Sequence, residues 1–391
     1  MTQALEGLKV LDLCRRYPGA YTAMFLGDFG AQVIKVDPPG GGLPVPGSGD
    51  SEAFAAHYAP DRNKRSIILN LREETGQQVF YRLARWADVL VEGFRPGVMK
   101  KLKADYDTLQ ALNPRLIYCS LSGFGHDGPY AHLPAHDMNY CAIAGALSVI
   151  GPKDGPPYFA SNYLADMAGA GLHGVIGILL AVQAREKTGQ GQWVDVTYVD
   201  GVISLATMDV SRFLHSGKVP RRGETHTTGA APWAQVFKCK DGEYFTIGCA
   251  EQHLWANLCK ALGRDDLAPF HNPPPDKRDW VIAEMARIFL TKTRDEWWKF
   301  FQDKDTCVGP VYYFNETLAD PQVRHRQMVV ELEHPKLGKV KQVGIPIKLS
   351  KTPGKIRTLG TPMGTHTREV LKELGYGPKE IDQLYQGSAV S

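Results

Sequence analysis

Strand-like and helix-like segments alternate through the first third of the chain, and this alternation narrows the fold more than any other feature. GLKVLDL (residues 7–13) is a short apolar strand. YPGAYTAMFLGDFGA follows it, with Pro18 and Gly19 near its start and Gly30 near its end, the punctuation of a helix. QVIKVD closes a first strand–helix–strand unit. RSIILNL, EETGQQVFYRLARWA and DVLVEGF make a second unit, and RLIYCSLSGFG adds a strand that ends in glycines. Such alternation predicts an α/β fold, a parallel sheet covered by helices.

With 391 residues the chain has room for one large or two ordinary domains. A net charge of +3 is too small to argue for a nucleic-acid partner. No uninterrupted run of about 18 apolar residues occurs, so no membrane span and no membrane partner is expected. MTQALEGLKVLDLC lacks a basic segment followed by an apolar one, so a cytoplasmic protein is expected. The seven cysteines are scattered without a CxxC, which suits buried free thiols in a reducing compartment and supplies no metal-site spacing.

Residues 38–50, PPGGGLPVPGSGD, read as a surface loop or a ligand lid. Residues 161–186 read as one long helix. Its glycines and alanines are poor for an isolated helix but suit the close approach of another backbone or a ligand. The texture changes near residue 215. VFKCKDGEYFTIGC then signals a hairpin around a DG turn, and HPKLGKVKQVGIPI a second hairpin before a final helix. The expected division is a large α/β domain over 1–215, a small α+β domain over 225–330, and a tail, 331–391, returning to the large domain.

Neither GxGxxG nor GxxxxGK[ST] follows the first strand, which removes the usual warrant for a nicotinamide enzyme or a phosphate-loop NTPase. RNKRS (Arg62, Lys64, Arg65) is a basic run suited either to a solvated edge or to phosphates. EGFRPG places Phe94 and Arg95 at a strand end, where open α/β sheets bind ligands. His136 and Asp166 stand among small and apolar neighbours, and a carboxylate there is costly to bury unless it is neutralised, bonded or used. Taken singly, His136 suits a structural histidine, Asp166 a helix N-terminus, and Glu251 an ordinary polar position. The residues alone point to an α/β enzyme with a polar cluster for an anionic small molecule.

LGDFGAQVIKVDPP, RNKRSIILNL, ADVLVEGFRPGV, NPRLIYCSLSGFG, ADMAGAGLHGVIGILLA and KTGQGQWVDV occur in order along nearly the whole chain. In these motifs the chain resembles the family III CoA-transferases, the group of carnitine-CoA, formyl-CoA and bile-acid CoA-transferases. The resemblance places the family's reactive aspartate on Asp166. It implies transfer of CoA from a donor acyl-CoA, by family habit succinyl-CoA, to a free carboxylic acid. Asp166 would pass through a mixed anhydride and an aspartyl-CoA thioester, dividing a hard exchange into easier steps. Coenzyme A, carried as the acyl thioester, is the implied cofactor. Arg62, Lys64, Arg65, Phe94, Arg95 and Lys101 are its expected contacts, and no metal is expected. The family's usual arginine after the second strand is replaced by Pro38 and Pro39, and its common asparagine by Gly93.

The same family includes 2-methylacyl-CoA racemases, the alternative activity. Their histidine motif resembles AHDMNY, matching His136, and their glutamate motif resembles IGCAEQHL, matching Glu251. In that chemistry His136 and Asp166 would exchange a proton with opposite faces of the α-carbon. The longer segment before the basic run and the tail from DPQVRHRQ onward resemble transferases, and transfer is the activity expected first. The resemblance further implies an open-ring subunit, with a Rossmann-like large domain and a small domain, interlocked as a homodimer or as a heteromer with a related subunit. Asp166 and Glu251 would then meet between domains. Tyr140, Tyr163 and Trp233 are candidates for lining an acyl pocket or for packing.

Overall fold

The computed structural model describes residues 2–41 and 52–391. Most of the 38–50 loop, read above as a possible lid, lies outside these residues. Six parallel strands form the central sheet: β1 (Lys9–Asp12), β2 (Gln32–Asp37), β3 (Lys64–Ile68), β4 (Val89–Glu92), β5 (Ile117–Ser122) and β6 (Trp193–Thr197). Their order is β3-β2-β1-β4-β5-β6. Register is continuous across the sheet, with Val10 opposite Val33 and Val89, and Ser120 opposite Glu92 and Asp195. The chain reverses direction across the sheet between β1 and β4, the switch point at which such sheets open a crevice beyond their strand ends.

Alternate strand residues point to opposite faces and feed two separate cores. Leu11, Ile34, Ile67, Leu90 and Tyr118 pack on one side. There they meet α3 (Glu74–Trp86), whose Val79, Phe80, Leu83 and Ala84 are buried at helical spacing. Val10, Val33, Val89, Val91 and Ile117 pack on the other side, under α1 (Tyr17–Asp28) and α7 (His173–Thr188). Each fully buried Leu, Ile or Phe contributes roughly 1.5–3 kcal/mol.

Short helices α2 (Glu52–His57), α4 (Val98–Lys101), α5 (Tyr106–Leu112) and α6 (Asp137–Ile143) fill the connections, and α8 (Tyr198–Leu205) follows β6 directly. Helix Tyr163–Thr188 is long and apolar enough, by length and composition, to cross a membrane. Reading for uninterrupted apolar runs overlooked this. Its buried face, with Ile178 and Ala181, packs into the sheet's second core.

The chain forms two compact units. One comprises Met1–Ala144, Ala160–Ala206 and Pro321–Ser391, and the other Gly145–Phe159 and Thr207–Asp320. Compared with the division expected from sequence, the second unit gains 145–159 and 207–224 and gives up 321–330. Arg222 gives a reason, because its guanidinium donates to the carbonyls of Ser148 and Gly155, 3.2 Å from each. The second unit contains α9 (Thr207–Ser216), a three-stranded antiparallel sheet, and the helices packed on it. The sheet's strands are β7 (Ala234–Lys238), β8 (Tyr244–Gly248) and β9 (Val308–Pro310). The helices are α10 (Gln252–Ala261), α11 (Pro275–Phe289), α12 (Arg294–Phe301) and α13 (Phe314–Thr317). Trp255, Phe289 and Trp297 fill its core.

The returning segment adds α14 (Pro321–His325), the hairpin β10 (Val329–His334) and β11 (Gly338–Val343), then α15 (Thr367–Glu373) and α16 (Pro378–Gln386). Both hairpins therefore stand where their turns were read, because a glycine supplies each turn's left-handed backbone, at Gly242 and Gly338.

Candidate active site

The long helix does not start as an α-helix. Tyr163–Leu172 is wound as a π-helix, and the α-helical winding begins at His173. The Met167 N–H donates to the carbonyl of Asn162, five residues back, at 3.3 Å. His173 Nδ1 lies 2.9 Å from the carbonyl of Ala168, also five back. Such wide turns are frequent at functional sites.

The small residues of this segment admit other backbones. A Cβ on Gly201 of α8 would stand 2.0 Å from the carbonyl oxygen of Gly169. A Cβ on Gly171 would stand 3.1 Å from the ring of Tyr21 and 3.3 Å from the carbonyl of Pro18 in α1. The Thr22 hydroxyl donates to the Gly171 carbonyl at 2.9 Å. Helices α1 and α8 thus clamp the turn that carries Asp166.

His136 caps α6 and is exposed. Its N–H donates to Asn139 Oδ1 at 3.1 Å, and its carbonyl accepts from the N–H of Asn139 and of Tyr140. The next residue, Asp137, is buried. Asp137 Oδ2 accepts from the backbone N–H of Ala165 (2.9 Å) and of Asp166 (2.8 Å). Asp137 Oδ1 accepts from the Cys141 thiol at 3.3 Å. The Tyr140 hydroxyl donates to the carbonyl of Ala135 at 2.8 Å, and its ring lies 4.7 Å from that of Tyr198. One turn of α6 therefore binds both the segment before His136 and the turn bearing Asp166.

Burial first, and then the neighbouring Asp137 charge, pushes the Asp166 carboxyl up to about 7. Among the described residues neither Asp137 nor Asp166 forms an ion pair. Burial and the nearby Asp166 push the Tyr140 hydroxyl up to about 12. Tyr163 is exposed at the start of the same helix. Asp137 was not singled out in the sequence, although it follows His136 directly in AHDMNY; an acid in the first turn of a helix reads as an ordinary dipole partner.

Glu251 lies in the second unit, where its carbonyl accepts from the Trp255 N–H at the start of α10 and its side chain is exposed. Trp233, in the same unit, stacks on His271 with centroids 5.7 Å apart and packs against that unit's core.

The basic run is engaged by protein groups. Arg62 is fully buried and holds Asp28 with both Nε (3.0 Å) and Nη2 (2.6 Å), while also donating to the carbonyl of Val343. Lys64 is buried against Asp12 (2.7 Å), Asp61 (3.4 Å) and the Ala20 carbonyl (3.0 Å). Arg65 pairs with Glu369 (2.8 Å) and Glu373 (2.6 Å). All three charges are already matched by protein groups. Arg95 and Lys101 are exposed beyond the end of β4, and the Phe94 N–H donates to Glu92 Oε2 at 2.8 Å. Arg95 lines a cavity of about 190 Å³ with Glu92, Lys100, Tyr106, His126 and Trp193. Burial pushes the Glu92 carboxyl up to about 7, opposed by the Ser120 hydroxyl and the Phe94 N–H.

Residues 5–367 match the model of CoA-transferase family III. The chain belongs to that family. It is 37% identical over 384 residues to the alpha-methylacyl-CoA racemase of Homo sapiens, covering 97% of this chain and 96% of the relative. It is 34% identical over 431 residues to a formyl-CoA:oxalate CoA-transferase of Escherichia coli O157:H7, covering 100% of both chains. A CAIB/BAIF family protein from Brucella suis superposes with a TM-score of 0.83 at 30% identity, covering 96% of this chain and 100% of that one. The α/β architecture, with one six-stranded parallel sheet and small antiparallel sheets, is the one this family uses.

Proposed function

We propose that this family III member inverts the α-carbon of 2-methylacyl-CoA thioesters, with His136 and Asp166 as the proton-transfer pair. One observation carries the reading. Asp137, adjacent to His136, accepts the Asp166 N–H at 2.8 Å, which ties the helix capped by His136 to the turn that carries Asp166. An Asp166 carboxyl titrating at about 7 suits the role, because general acid–base catalysis works best when the group's pKa lies near the working pH. The 37% identity to a named racemase over almost all of both chains supports it.

The steps balance. One member of the pair, in its basic form, removes the proton from C2, and the C–H electrons move into the thioester as an enolate. The other, in its protonated form, returns a proton to the opposite face of C2. Each turnover leaves the pair with its protonation states exchanged, ready for the reverse direction. Glu251 is the third residue that the family resemblance assigns, and Arg95 and Lys101 are the exposed cations proposed to meet the CoA phosphates.

CoA transfer is the second reading, favoured by the 34% identity to formyl-CoA:oxalate CoA-transferases and by a reactive-position carboxylate without an ion-pair partner. Asp166 Oδ would attack the thioester carbonyl and expel CoA thiolate. The thiolate would then attack the anhydride at Asp166 Cγ and release the donor acid. An acceptor carboxylate would reverse both steps.

Mass spectrometry in D₂O separates the two. Given 2-methylacyl-CoA alone, the enzyme should introduce one α-deuterium and scramble the stereocentre. New acyl-CoA masses formed from succinyl-CoA and a free acid, with no α-deuterium in 2-methylacyl-CoA, would overturn racemisation in favour of transfer. We further propose self-association as a homodimer, because Ile176, Leu179 and Leu180 expose 51%, 40% and 66% of their surface on α7. Light scattering at micromolar protein should give twice the chain mass, and a monomer would refute it.

A further inference from the structure

Asp137 reaches both halves of the proposed site, yet its carboxylate is spent wholly on the protein. It is buried, and its three contacts are the N–H of Ala165, the N–H of Asp166 and the Cys141 thiol. The wide π-helical turn leaves the first N–H groups of the helix without partners of its own, and a buried N–H left unbonded is costly. Asp137 supplies the missing acceptor. In doing so it sets a second carboxylate beside Asp166 in a place where, among the described residues, no cation pairs with either.

We propose that Asp137 is a positioning residue for the His136–Asp166 pair: its carboxylate accepts the Ala165 and Asp166 N–H groups and so fixes the turn that carries Asp166, with its charge standing beside that of Asp166. The proposal rests on the racemase reading for its catalytic consequence, though not for its structural content. Tyr140 completes the bracket from the same helix turn by holding the Ala135 carbonyl just ahead of His136.

Among the described residues, several groups face Asp166. Asp137, Tyr140 and Cys141 come from α6, and Tyr198 comes from α8. Helix α1 presents Tyr21 and Thr22 to the same segment at Gly171. Strands β5 and β6 present apolar Leu121 and Val194 to the helix further along. The phenols and the thiol are neutral at pH 7, since burial pushes the thiol and Tyr140 up to about 12 and Tyr198 well above its ordinary value. Burial is the larger cause of the raised Asp166 carboxyl, and the Asp137 charge adds to it.

The test is Asp137→Asn, which keeps the side chain's shape and an acceptor oxygen while removing the charge. Aspartate carboxyls labelled with ¹³C are titrated by NMR, with the Asp166 signal identified by its loss in Asp166→Asn. The Asp166 midpoint should fall by about one pH unit relative to wild type. The acid limb of α-proton exchange should move down with it. Amide hydrogen exchange at Ala165 and Asp166 should speed up. A titration midpoint that stays in place in a folded Asn variant overturns the proposal, because a merely structural residue would lower activity and melting temperature without moving it. Should the Asn variant fold poorly, Asp137→Glu keeps the charge. Its Asp166 midpoint should stay near the wild-type value, and a fall to the ordinary carboxylate range overturns the proposal equally. A moved midpoint in a protein that exchanges no α-proton supports the bracket and overturns only the racemase reading.

Discussion

Buried charge is handled in two opposite ways in this molecule. At the β1–β3 side of the sheet, acids and cations interleave: Asp28 with Arg62, Asp12 and Asp61 with Lys64, Asp61 with Lys35. At the start of the π-helix two acids, Asp137 and Asp166, stand together with backbone N–H groups and a thiol for company. Lys64 and Lys35 hold the Asp61 carboxyl below the ordinary carboxylate range despite its burial, whereas burial and Asp137 hold Asp166 up near 7. The contrast separates architecture from chemistry. A matched acid is held by its cation, even where burial still pushes its carboxyl up as at Asp28, whereas an unmatched acid suits the proton exchange proposed above.

Substitutions can break this comparison. The largest effect belongs to the unmatched side. Asp166→Asn should lower α-proton exchange by at least about 10³-fold, and His136→Ala should be similarly severe. The same Asp166→Asn should make the fold more stable. A carboxyl that titrates at about 7 when folded and 3.8 in its ordinary state retains its full contribution to stability only at acid pH. That contribution is lost as pH rises through the folded value. The variant's advantage should therefore be absent below pH 4, grow between pH 4 and 7, and reach on the order of 1 kcal/mol above pH 7 after solvent screening. Denaturant melts at pH 4 and pH 8 check this, and an equal effect at both would contradict it.

On the matched side, Arg62→Ala leaves Asp28 buried without its partner and should cost about 3–5 kcal/mol of stability. A loss below 1 kcal/mol would show that the pair is not the structural element described. Between the two regions, Gly201→Ala pushes a methyl into the Gly169 backbone, which no side-chain rotation relieves. A loss of about 1–3 kcal/mol is expected, with catalysis falling alongside because the Asp166 turn is displaced. The smallest effect is Arg65→Ala, whose partners Glu369 and Glu373 are half-exposed; urea unfolding should shift by less than about 1 kcal/mol.

The sheet was legible because its strands carry apolar runs at regular intervals, and parallel strands buried on both faces leave that signature. The crowding of Gly169, Gly171, Gly174 and Gly177 correctly signalled close backbone approach, with α1 and α8 as two of the visitors. The winding of residues 163–172 was not legible, since π and α turns share the same residue preferences and differ in how neighbours accept the backbone N–H groups. The setting of the basic run was hidden for a related reason. Arg62 and Lys64 read as solvated or phosphate-binding until Asp12, Asp28 and Asp61, distant in sequence, fold against them. Asp137 escaped notice because its partners lie 28 and 29 residues away.

The π-helix also sets how this chain can vary in length. A segment wound with surplus residues can lose one of them and rewind as an ordinary α-helix while its flanking anchors stay in place. Deleting Gly171 would do this. The rotation by about 100° per residue in an α-helix would then carry Asp166 around the axis to a different azimuth. A length change that leaves the sheet and both its cores untouched would thus turn the Asp166 carboxyl out of alignment, so the bearing proposed for this helix is encoded in its residue count as well as in its residue types.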